Sequence, residues 1–144
     1  MNTVAPDFLF VYGTLMSCSS HPMSLFLRKN ARLLGPAKMP GRMYSLGAYP
    51  AAVYDEKAET QICGELYELS NSGILFPELD RYEGIHDQPE APAEYSREVV
   101  RVTFASSSIH CWTYLCKEEN IALPQVPAND RGQISWYGIC PEQF

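Results

Sequence analysis

Residues Phe8-Leu9-Phe10-Val11-Tyr12 form an unbroken apolar, aromatic and β-branched run that stops at Gly13. A run this short, with no polar alternation, reads as a central strand covered on both faces. The rest of the chain therefore has to supply elements that pack around it. At Gly13-Thr14 the chain turns, and Ser17 to Pro22 is polar and rich in breakers.

Beyond that turn the grammar is mixed. Met23 to Arg28 reads as a short helix that gives way to Arg32-Leu33-Leu34-Gly35. From Ala37 to Leu69 the pattern changes to short β-like runs at Arg42–Leu46, Ala51–Tyr54 and Gln61–Leu69, separated by Gly47, Pro50 and Asp55-Glu56-Lys57. Leu75, Leu79 and Tyr82 recur at helical spacing and predict one amphipathic helix over Ser72–Glu83, with Ser70 or Ser72 capping its start and Gly84 ending it. Val100, Val102 and Phe104 alternate with polar residues, and Ile109–Cys116 forms the second strand of a hairpin around Ser106-Ser107-Ser108. Strands and helices without regular βαβ alternation predict an α+β fold, a mainly antiparallel closed β-barrel with flanking helices. With 144 residues, 46% of them hydrophobic, the chain suits a single domain over 1–144, its core at about 7–116 and a C-terminal tail at 117–144.

Charge and cysteine usage narrow the function classes. A net charge of −6 lacks the basic surface that phosphate backbones require, so no nucleic acid is expected as a partner. No stretch reaches membrane-spanning length and the first residues lack a secretory pattern, so no membrane partner is expected and the default address is cytoplasmic. Cys18, Cys63, Cys111, Cys116 and Cys140 are odd in number and scattered, and read mostly as reduced core or loop residues. His21, His86 and His110 have no spacing that would put two imidazoles on one ion, so no metal is expected. A serine elbow, a phosphate loop, a dinucleotide fingerprint and a zinc-protease helix are all missing from the sequence.

Three places can carry chemistry. A buried strand that stops abruptly at Tyr12-Gly13-Thr14-Leu15 can aim free N–H groups at a carboxylate or oxyanion, or can be an ordinary strand-ending turn. Glu83 sits on the last turn of the expected helix, where partial negative charge raises a carboxylate's pKa toward the range of a general base; the alternative is a solvated surface glutamate. Tyr95 and Arg97 share one face of a strand, where Arg97 can pair either with a substrate carboxylate or with an acidic neighbour. The segment 87–94, acidic and proline-bearing, lies between Glu83 and Tyr95 and reads as a lid.

Taken in order, the motifs resemble the γ-glutamylcyclotransferase-like family. They are a strand running into Tyr12-Gly13-Thr14-Leu15, then Gly41-Arg42-Met43-Tyr44 with Leu46-Gly47 and Tyr49-Pro50-Ala51, then Gly64-Glu65-Leu66-Tyr67. Leu79-Asp80, Tyr82-Glu83-Gly84, Tyr95-Ser96-Arg97 and Trp112-Thr113-Tyr114-Leu115 follow. The resemblance implies a barrel with flanking helices, a substrate loop at Tyr12 to Leu15, Glu83 as catalytic base and no cofactor. Its substrate would be a small γ-glutamyl amide, converted to 5-oxoproline and a free amine or amino acid, by a monomer or homodimer. Tyr12, Tyr95 and Tyr114 would wall the pocket, Tyr114 equally readable as core beside Trp112. The N–H groups of Gly13, Thr14 and Leu15 would hold the α-carboxylate or the forming oxyanion.

Two departures stand out. Cys116 takes the last place of a strand that usually reads Tyr-Leu-Tyr, and Gln133-Ile134-Ser135-Trp136 stands where a Ser-Gly-Asp-Trp-like segment closes many relatives. A rival of another class is a binding module that uses the same pocket without turnover.

Overall fold

The computed structural model describes residues 7–13, 15–19, 21–45, 50–70, 72–82, 95–116 and 124–136. Strand β1 (Phe8–Val11) lies at the centre, as its apolar run requires. It pairs antiparallel with β4 (Gln61–Leu69) and parallel with β6 (Ser107–Cys116). Strand β5 (Tyr95–Phe104) pairs antiparallel with β6, and β2 (Ala31–Ser45) joins β5 at Lys38↔Thr103 and β4 along Ala31 to Pro40. The β2–β4 pairing closes the circuit β2-β5-β6-β1-β4 into a barrel. Strand β3 (Pro50–Tyr54) is added to β2, and the short β7 (Gln133–Ile134) runs parallel to β4. The expected barrel with flanking helices is the fold found.

Strand alternation sorts the core in two. One face collects Phe10, Met39, Met43, Ile62, Leu66 and Val102, with no helical residue among them, and so fills the barrel interior. The opposite face carries Leu9, Val11, Tyr67 and Leu69, which pack against Leu27 of helix α1 (Pro22–Asn30) and Leu75 and Leu79 of helix α2 (Ser72–Tyr82). Helix α1 starts where His21 caps it, its Nδ1 accepting from the N–H of Met23 at 3.1 Å, with Pro22 at the first helical position, where no donor is lost. Its polar face and Leu25 remain in solvent.

Several expectations are corrected. Instead of a strand beginning at Arg42, β2 runs unbroken for 15 residues. Along it Ala37, Met39 and Met43 point inward while Pro36, Lys38, Pro40 and Arg42 alternate outward. A bulge between Leu33 and Gly35 takes up the irregularity. The hairpin turn is tighter than a three-serine loop: Ala105 and Ser106 adopt positive φ, which matches the twist of a two-residue connection, and Ser107 and Ser108 belong to β6. Ser72 is already helical and the Ser70 hydroxyl is turned to the Asn30 carbonyl, so neither caps α2. Cys18, Cys111 and Cys116 are reduced, in line with the reading of the cysteines as mostly reduced, whereas Cys63 is disulfide-bonded. Among the described residues no helix is long and apolar enough to cross a membrane.

Candidate functional site

The strand-end turn is built by close packing. Tyr12 follows β1 into the barrel wall, and its hydroxyl donates to the Tyr114 carbonyl of β6. Gly13 is buried under the ring of Pro50, and a Cβ here would stand 2.6 Å from Pro50 Cγ, so only glycine admits this approach. The Met16 N–H donates to the Gly13 carbonyl at 2.9 Å and closes the turn. Among the described residues no acceptor engages the N–H of Gly13 or of Leu15, although both residues are buried. Buried donors without an acceptor are rare in proteins and suit an anionic ligand. Thr14 lies outside the described residues.

Tyr95 and Tyr114 approach this turn from β5 and β6, whereas Arg97 is turned to α2. The Tyr95 hydroxyl donates to the Pro50 carbonyl at 2.7 Å, which fixes the proline that covers Gly13. Arg97 lies opposite Tyr114 in the β5–β6 register. The Arg97 fork, offered by the sequence to a substrate carboxylate, is occupied by Asp80 of α2: Nε donates at 2.9 Å and Nη2 at 3.2 Å. Its guanidinium lies against two rings that meet edge to face, over Phe76 at 4.0 Å and over Trp112 at 4.8 Å from the centroids. The Tyr114 hydroxyl donates to the same Asp80 at 2.6 Å. The acidic-neighbour alternative for Arg97 is thus the arrangement found, and the reason is geometric, since α2 brings a carboxylate to the planar fork.

Tyr114 therefore joins the two halves of the site. Its carbonyl holds Tyr12 beside the turn, and its hydroxyl holds Asp80 near the end of α2. The helix ends at Tyr82, whose ring meets the His21 ring at 4.8 Å between centroids, so the last turn of α2 lies against the start of α1. Glu83 and the 87–94 segment lie outside the described residues. A carboxylate that already accepts from three donors, as Asp80 does, is an anchor and not a free proton acceptor.

Three contributors were missed in the sequence. Pro50 and Asp80 each stood inside a quoted motif, but their partners lie 45, 17 and 34 positions away, and no local spacing encodes that. Glu65 was likewise quoted only within Gly64-Glu65-Leu66-Tyr67, and a glutamate in an otherwise apolar strand was the available signal.

Comparison with known proteins gives concordant results. The family model described as gamma-glutamyl cyclotransferase, AIG2-like, matches residues 9–135. A mouse AIG2-like protein of solved structure is 22% identical, with 84% of this chain and 86% of that chain covered and a TM-score of 0.62. YkqA from Bacillus subtilis is 20% identical at a TM-score of 0.61, over 84% of this chain and only 38% of that one, so this chain spans well under half of its length. A uropathogenic E. coli-specific protein is 15% identical at a TM-score of 0.63, covering 85% of this chain and 89% of that one. Comparison with curated proteins gives no match. At these identities the solved structures show a shared fold, while the family match spans most of the sequence: the chain belongs to the AIG2-like γ-glutamyl cyclotransferase family.

Proposed function

We propose that the chain is a cyclotransferase that cleaves a γ-glutamyl amide and releases 5-oxoproline with a free amine or amino acid. The substrate's α-amine attacks its own γ-carbonyl, the new ring amide forms, and the old amide bond breaks as its nitrogen takes up a proton. Glu83 is the general base, receiving the proton of the attacking amine and returning it to the departing nitrogen. The Gly13, Thr14 and Leu15 N–H groups hold the substrate's carboxylate or the developing oxyanion. Tyr12, Tyr95 and Tyr114 form the walls, while Arg97 acts through Asp80 and does not touch substrate. Because nucleophile and electrophile share one molecule, holding them in attack geometry can supply up to about 7–11 kcal/mol of the barrier. That leaves little for the protein beyond one base and one anion site, and calls for no cofactor.

The observation that carries this reading is the double role of Tyr114, which ties the turn to Asp80, three positions before Glu83. A loop whose Gly13 and Leu15 N–H groups meet no acceptor among the described residues, and the helix turn that leads in sequence to Glu83, are thereby linked through a single strand. The soluble, cytoplasmic setting expected from the sequence suits a small-molecule substrate.

The test is release of 5-oxoproline, followed by mass spectrometry, from a panel of γ-glutamyl dipeptides, glutathione and γ-glutamyl amines. Wild-type protein is expected to turn over at least one, and Glu83→Gln to lose at least about a hundredfold, in line with the loss of a general base. Full activity in Glu83→Gln refutes the assignment of the base. Binding of γ-glutamyl compounds without turnover by the wild type would instead make the pocket a recognition module.

A further inference from the structure

We infer that Glu65 is a positioning residue for the substrate loop, holding the turn after β1 in its anion-binding shape; this rests on the reading of residues 12–15 given above. Glu65 lies on β4 opposite Val11, the last residue of β1, and is 2% exposed. Its Oε1 accepts from the Ser17 N–H at 2.6 Å and its Oε2 from the Ser17 hydroxyl at 2.5 Å. One carboxylate thus grips the backbone and the side chain of the same residue, which fixes both the position and the orientation of the turn's exit. On the other side, the Met16 carbonyl accepts from the hydroxyl of the fully buried Ser24 in α1 at 2.7 Å. Met16 and Ser17 are therefore clamped between β4 and α1, the Met16 N–H bonded to the Gly13 carbonyl and the Ser17 N–H to Glu65.

Gly64 makes the grip reachable. A Cβ at this position would stand 2.2 Å from the Val11 carbonyl oxygen, so the glycine brings β4 against the end of β1 and Glu65 under the turn. A buried carboxylate is expensive when no cation faces it, and among the described residues Glu65 makes no ion pair. Packing alone would be served by an apolar residue. What an anion adds is a strong, two-pronged hold on donors that belong to the loop. The nearby Cys18 thiol is pushed up, first by burial and then by the Glu65 charge, which places that charge at the loop exit.

The experiment combines hydrogen exchange of the Ser17 amide with steady-state kinetics on the best-turned-over γ-glutamyl amide, for wild type, Glu65→Gln, Ser17→Ala and Ser17→Thr. Losing one hydrogen bond to a charged group corresponds to roughly a tenfold to hundredfold change. In Glu65→Gln the Ser17 amide is expected to exchange at least about tenfold faster and kcat/KM to fall by a similar factor, measured well below Tm. Ser17→Ala should follow in part, and Ser17→Thr, which keeps the hydroxyl, should restore near wild-type kinetics. Unchanged exchange in Glu65→Gln overturns the proposal, and so does faster exchange with unchanged kcat/KM, since a bond with a purely structural role would move Tm alone. If the wild type turns over nothing, the cyclotransferase reading fails separately. The affinity for 5-oxoproline then replaces kcat/KM: the same loss in Glu65→Gln upholds the clamp, and equal affinity sinks it.

Discussion

Replacing Asp80 by Ala removes the acceptor of the network at the end of α2. The carboxylate accepts from Arg97 at 2.9 and 3.2 Å and from Tyr114 at 2.6 Å. A solvated surface pair contributes about 0.2–1 kcal/mol, and breaking a buried pair costs about 3–5 kcal/mol. The side chains of Arg97 and Asp80 are 25% and 21% exposed, which places the loss between those limits, at about 2–3 kcal/mol. For a chain of this size that lowers Tm by about 5–10 °C. The two rings that the guanidinium lies against keep the geometry of Arg97 and so concentrate the penalty on an unpaired cation. Adding Arg97→Met should recover part of the loss, because an apolar chain packs against Phe76 and Trp112 without needing a partner. Chemical denaturation of the two single variants and the double variant gives the coupling energy. A coupling below about 0.5 kcal/mol would refute the reasoning, since the pair would then behave like a solvated surface bridge. With the last turn of α2 loosened, kcat should fall further than KM rises.

Two other expectations follow from single groups. The Tyr67 hydroxyl is buried without a partner among the described residues, and burial, followed by the Glu65 charge, pushes its pKa up to about 12. Tyr67→Phe should therefore stabilise by about 1 kcal/mol in denaturant titrations. A raised folded-state pKa contributes stability below the ordinary tyrosine range that is lost as pH rises toward about 12, so the variant should lack that alkaline loss; a destabilised variant would show that the hydroxyl has a partner. Asp55, whose carboxyl is held below the usual aspartate range by the Arg42 hydrogen bond and then by the Lys57 N–H, contributes stability above that range. The contribution should be lost as pH falls through the lowered value and be missing in Asp55→Asn; an ordinary titration midpoint for Asp55 by NMR would contradict this.

Much of this arrangement was legible in the residues. An unbroken apolar run could only be the central β1, and the 75, 79, 82 spacing located α2 to within one residue of its end. The motifs named Tyr12, Gly13, Tyr95 and Tyr114, but not the hydrogen bonds that Tyr12 makes to Tyr114 and Tyr95 to Pro50. What stayed hidden was long-range. The local pattern started β2 at Arg42, and only the closed circuit with β4 and β5 shows that it begins at Ala31. Arg97 showed its charge but not its partner, because which carboxylate meets a fork depends on how a helix packs 17 positions away. The disulfide at Cys63 was illegible for the same reason: an odd, scattered set of cysteines has no pairing grammar.

The filled barrel has a consequence for how such proteins diversify. With Phe10, Met39, Met43, Ile62 and Leu66 packed together in the interior, the contacts of Gly13, Tyr95 and Asp80 are made at the end of β1, the start of β5 and the end of α2. On the cyclotransferase reading, substitutions there would alter which leaving group is accepted without disturbing the residues that hold the strands together, so that selectivity and folding would draw on largely separate sets of positions.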